Sequence, residues 1–111
     1  MIDVPTFVPR KCQGAYIHFA QRVEQRLPGI PAKSLWLSII AAIESEHDDV
    51  TFLGRTSRDG RRAWLCDFRE CRFITIFCHT ASVPITVITD PAFVLAREGR
   101  PPLNVKDFIH A

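Results

Sequence analysis

The hydrophobic period of this chain changes once along its length, and that change constrains the fold more than any other feature. Between residues 15 and 46 apolar side chains recur at helical spacing, and between 50 and 88 they recur at every second residue. In the first stretch Tyr16, Ala20, Val23 and Leu27 fall at i, i+4, i+7 and i+11, which predicts an amphipathic helix over 15–27. Leu27-Pro28-Gly29-Ile30-Pro31 ends it, because Pro lacks a backbone N–H and Gly favours turns. A second helix is predicted from about Ala32 to Glu46, with Pro31 at its first turn. Leu35, Trp36, Ile39, Ile40 and Ile43 make up its buried face. It is the more apolar of the two and should lie deeper.

After residue 50 the alternation predicts strands. The apolar positions are Val50 and Phe52, then Trp64, Cys66 and Phe68, then Phe73, Thr75 and Phe77, then Ile85 and Val87. Arg58-Asp59-Gly60-Arg61 signals a turn between the first two strands, Arg69-Glu70 between the next two, and Ala81-Ser82-Val83-Pro84 before the last. Strands joined by such short loops pair antiparallel, as a meander. Residues 1–13 hold two prolines and are predicted as an extended lead-in. Residues 91–111 contain Pro91, Pro101 and Pro102 and are predicted to be irregular, with one short extended piece at Phe93-Val94-Leu95. The expected fold class is therefore α+β. Two N-terminal helices pack on a four-stranded antiparallel β-sheet, in a single domain over 1–111 with one core.

Composition supports a globular domain. In 111 residues, 47% are hydrophobic, with eight Phe and two Trp to fill a core. The even spread of apolar residues over 14–90 argues against disorder there. The N-terminus has no basic region followed by an apolar one, as a signal peptide would, and the run from Leu35 to Ile43 is too short to cross a membrane. A cytoplasmic protein with no membrane partner is the expectation. Four cysteines, Cys12, Cys66, Cys71 and Cys78, are then expected as free thiols. Their spacing lacks the tight C-x2-C of a zinc knuckle, and Cys66 and Cys78 sit in apolar strand-like runs, so no metal and no cofactor are expected.

Charge is mild overall, +2, but polarised along the chain. Of 14 basic residues 11 are Arg, and six of these lie between Arg55 and Arg72. Acid gathers in Glu44, Glu46, Asp48 and Asp49. Arginine favours planar, bidentate contacts with phosphate or carboxylate. His18, Arg22 and Arg26 stand at i, i+4 and i+8, so one imidazole and two guanidiniums share a helix face. An imidazole exchanges a proton near pH 7 and a guanidinium clamps phosphate, so the set suits RNA cleavage; it also suits an ordinary solvated helix face. His79 shares a strand face with Phe73, Thr75 and Phe77, either the core face or the open one, and is the best partner for His18. His47 ends the second helix, where a cation is favoured by the dipole, and is read as structural.

The order of these motifs resembles the barnase–EndoU–colicin–RelE-like group of small metal-independent ribonucleases, in their phage and toxin-associated forms. The resemblance rests on His18-Phe19-Ala20-Gln21-Arg22 with Arg26, on the hairpin from Gly54-Arg55 to Asp59-Gly60-Arg61, and on Ile85-Thr86-Val87-Ile88-Thr89, and it spans about residues 15–90. It departs from the RelE toxins in lacking their C-terminal catalytic Tyr, since the only Tyr is Tyr16. The resemblance implies an endoribonuclease that uses the RNA 2′-OH as nucleophile. His18, Arg22, Arg61 and Thr89 would act in catalysis, and Arg26, Arg55, Arg58 and Arg62 would bind RNA phosphate. The implied partners are RNA and a cognate antitoxin or immunity protein. The alternative is a non-enzymatic phage-encoded inhibitor on the same scaffold, binding a host protein or nucleoprotein complex. A DNA-binding regulator ranks lowest, because the turn between the helices is Pro-rich and the second helix is apolar, unlike a recognition helix.

Overall fold

A computed structural model describes residues 2–56, 60–69 and 71–89, and the architecture is the expected α+β arrangement. Helix α1 spans Gln13–Arg26 and α2 spans Ala32–Glu44. Four strands follow, β1 (Val50–Arg55), β2 (Arg61–Phe68), β3 (Cys71–Cys78) and β4 (Val83–Ile88). They form one antiparallel sheet in the order β1-β2-β3-β4, the meander that the short turns dictate.

The lead-in differs from expectation. Val8 N–H bonds the Pro5 carbonyl at 3.1 Å, a turn of 3₁₀ helix covers Arg10–Cys12, and Val8 and Cys12 are buried in the core. Pro9, with φ near −57°, presets the chain for that turn. Helix α2 stops two residues early. The Ser45 hydroxyl donates back to the Ala41 carbonyl at 2.8 Å, and Glu46 takes a left-handed φ of 51°, so the next backbone N–H, from His47, reaches back to Ala42. The short extended piece expected at 93–95 and the rest of 91–111 lie outside the described residues.

Both helices cover one face of the sheet. Trp36 is 1% exposed and meets Tyr16 and Phe19 edge to face, with ring centroids 5.1 and 5.4 Å apart. Phe73, Phe77, Cys66 and Val87 complete this cluster from the strands. A second buried cluster, Ala63, Leu65, Ile74 and Ile88, belongs to the other face, so the single core expected from sequence is two apolar layers with the sheet between them. The run Phe73-Ile74-Thr75-Ile76-Phe77 explains this, being apolar on both parities, as strands buried on both faces are. Thr75, the one polar residue among the buried side chains of the described residues, donates its hydroxyl to the Thr86 carbonyl at 2.9 Å.

Two irregularities place the residues discussed below. A bulge between Phe52 and Gly54 shifts the β1–β2 register, so that Arg55 stands opposite Arg62. Gly60 enters β2 with φ +76°, where a Cβ would lie 2.8 Å from Thr80 Oγ1, and its carbonyl accepts the His79 N–H at 3.0 Å. Truncating the central ring, Trp36→Ala, should cost about 3–5 kcal/mol of stability by transfer and cavity terms together, read as a lower urea midpoint. Trp36→Phe should recover most of it.

Candidate functional site

The polar stripe of α1 is not parallel to the helix axis. Each four-residue step turns about 400°, so Arg22 and Arg26 drift roughly 40° and 80° from His18 toward the buried side. The exposures follow: His18 is exposed, while Arg22 and Arg26 are half-buried. Arg26 is carried to β4, where its Nη1 donates to the Val87 carbonyl at 2.6 Å. Arg22 donates to Gln25 Oε1 at 2.9 Å on the exposed surface.

Arg26 at Val87 also sets where His18 stands. His18 is eight residues earlier, roughly 12 Å along the helix, and Val83 is four residues before Val87, roughly 13 Å along the strand. Val83 pairs with Cys78 and Cys78 with Arg61, so one transverse row runs from the start of β4 to the start of β2. The His18 imidazole is held below its ordinary proton affinity, first by partial burial and then by Arg22, Arg26 and Arg61. One exposed imidazole thus lies in the field of three guanidiniums, two from its own helix and one from the sheet.

The other arginines of the hairpin go elsewhere. Arg61 and Arg62 are consecutive on β2, so their side chains leave opposite faces. Arg62 shares its face with Trp64 and Cys66, the side covered by the helices, and the bulge gives Arg55 the same face. Arg55 and Arg61, expected together on phosphate, are therefore separated by the sheet. Thr89 is exposed beyond the Ile88 end of β4, six residues or roughly 20 Å from the Arg61 row, and does not join His18. Arg58 lies outside the described residues.

His79 is placed on the helix-covered side and does not partner His18. Its Nε2 accepts the Trp64 indole N–H at 3.0 Å, its ring stacks on Trp64 at 5.8 Å, and Phe77 meets it edge-on at 5.0 Å. Accepting at Nε2 requires the neutral ring, and burial, then Arg62, hold its proton affinity below the ordinary imidazole value. His79 adjoins a cavity of about 460 Å³ bounded by α2's C-terminal end and by Phe52, Arg62 and Trp64, which sequence reasoning missed because its walls come from distant segments. His47 is exposed, with Nδ1 accepting the Asp49 N–H at 3.1 Å, a local cap on the loop after α2. Cys12 and Cys66 are buried, and burial, then Cys71, pushes the Cys66 thiol up, away from the reactive thiolate. Among the described residues no group of three or more His, Cys, Asp or Glu could hold a metal, and no helix is long and apolar enough to cross a membrane. Comparison with family profiles, curated proteins and solved structures finds no match to this chain.

Removing one cation from around His18 should be visible directly. Arg61→Ala should raise the His18 pKa, because a neighbouring positive charge disfavours imidazolium, and added salt should raise it in the parent by screening. Proton NMR titration of the ring protons reads both. An unchanged His18 titration in Arg61→Ala would separate the two residues.

Proposed function

We propose that the chain is a metal-independent endoribonuclease of the phage or toxin-associated type, with His18 as general base. The observation that supports this reading is the field of Arg22, Arg26 and Arg61 around one exposed imidazole. It keeps the ring neutral near pH 7, as a base requires, and it supplies positive charge where a phosphorane would gain negative charge. In the step, His18 takes the proton of an RNA 2′-OH. The O2′–phosphorus bond forms, the phosphorus–O5′ bond breaks, and the leaving oxygen is protonated by imidazolium or solvent, leaving a 2′,3′-cyclic phosphate.

The residues carry different duties in this proposal. Arg61 and Arg22 touch phosphate. Arg26 already donates to Val87, so it adds charge from its structural position and holds the helix to the sheet. Arg55 and Arg62, on the helix-covered face of the same sheet end, would contact RNA beyond the scissile bond. Thr89 has no part in it.

Incubation with single-stranded RNA in EDTA should give cyclic-phosphate ends. His18→Ala should reduce kcat/KM about 10²–10⁴-fold, the usual share of a positioned acid–base group. The ascending limb of the pH profile should lie below the ordinary imidazole value of 6.5, since the active form is neutral and its proton affinity is lowered. Undiminished cleavage by His18→Ala would remove this mechanism. Absence of cleavage of any RNA by the parent would favour the non-enzymatic inhibitor that the sequence also allows.

A further inference from the structure

The sheet face turned away from the helices is buried, yet no described element lies over it. Leu65, Ile74 and Ile88 pair across β2, β3 and β4 in one transverse row and are 6%, 0% and 6% exposed. Ala63, also on β2, is fully buried, and Leu53 and Ile76 pack against the set. All six stand on strands, and among the described residues no helix or loop joins them. Both helices and the lead-in belong to the other cluster, on the opposite face. Side chains stand roughly perpendicular to a sheet, so strand neighbours flank Ile74 without capping it. Phe52, a β1 side chain left open, gives the contrast at 48% exposed.

We infer that this face is a docking surface for the chain's own C-terminal segment, residues 90–111, with Phe93-Val94-Leu95 over the Leu65–Ile74–Ile88 row. Of the other residues outside the described ones, 57–59 and 70 only join paired strands, and Met1 precedes Ile2, which packs against the helix-side cluster. Segment 90–111 begins two positions past Ile88, itself a member of the row. Leu65 lies two strand spacings from Ile88, about 10 Å away. Phe93, five residues past Ile88, can reach as far as about 17 Å, so the segment's first apolar run can span the row. A second run, Phe108-Ile109, is available for the rest of the face. Concentration also favours this occupant over a second copy of the chain. A tethered segment acts at an effective concentration of about millimolar, whereas a second molecule acts only at its actual concentration.

The test uses the full chain, isotope-labelled at Ile, Leu and Val methyl groups and at Phe rings. The Leu65, Ile74 and Ile88 methyls should give nuclear Overhauser contacts to the Phe93 ring or the Leu95 methyls. A sample mixing labelled and unlabelled chains should show none of these contacts between copies. Phe93→Ser combined with Leu95→Ser should remove them and shift the three methyl signals. In that variant a dissolved paramagnetic agent should broaden the Ile74 methyl several-fold more than in the parent, with the Trp36 indole signal unmoved. Absence of any contact between this row and residues 90–111 in the parent overturns the assignment. Contacts found only between copies overturn it too, by giving the face to a second chain, as does parent-like protection of Ile74 in the double variant. Should the double variant not fold, the parent contacts still decide. None of these readouts involves RNA cleavage, so the ribonuclease reading and this one fail separately.

Discussion

Arg26 donates to the Val87 carbonyl at 2.6 Å, and through that bond and the apolar face beside it α1 is held along β4. A half-buried guanidinium and a strand carbonyl satisfy each other here, a charge-assisted bond worth more than a neutral one. The same helix inserts Phe19 and Val23, both fully buried, into the layer built around Trp36. Because the helix is rigid, fixing Arg26 and these two side chains fixes the rest of its surface. His18 then has a single position relative to the sheet, at the end where β2 begins.

The sheet's parity divides the basic residues between two surfaces. Arg61 and Arg62 differ by one position and so differ by one face. Arg61 joins the imidazole on α1, and Arg62 enters the aromatic cavity below the end of α2. The bulge after Phe52 sends Arg55 with Arg62; in an unbroken ladder it would have stood opposite Arg61. One inserted residue thus decides which guanidiniums can act together. The two histidines are both lowered in proton affinity by burial first and then by different arginines, Arg22, Arg26 and Arg61 for His18 and Arg62 for His79.

The acidic residues at the end of α2 take on meaning in that setting. As sequence, Glu44 and Glu46 are only part of the acidic cluster at the end of the second helix. In the fold, the early stop at Ser45 and the left-handed Glu46 turn the chain so that both line a space shared with Arg62 and His79. A left-handed φ at a non-glycine residue is maintained against a local cost, and here the bonds of Glu46 and His47 back to α2 hold it.

Much of this is legible in the sequence because it depends on local periodicity. Apolar spacing placed both helices and all four strands, since burying one face of each element is a strong and short-range requirement. The i, i+4, i+8 spacing likewise put His18, Arg22 and Arg26 on one stripe. What periodicity leaves open is anything set by register between distant segments. Tertiary structure alone decided that Arg26 binds a strand carbonyl, that Arg61 and not Arg55 reaches His18, that His79 faces Trp64, and that the second sheet face is also buried. Each of these turns on a one-residue shift or a half-turn of helix, and local spacing does not resolve such differences, because they are selected by the packing of the whole chain.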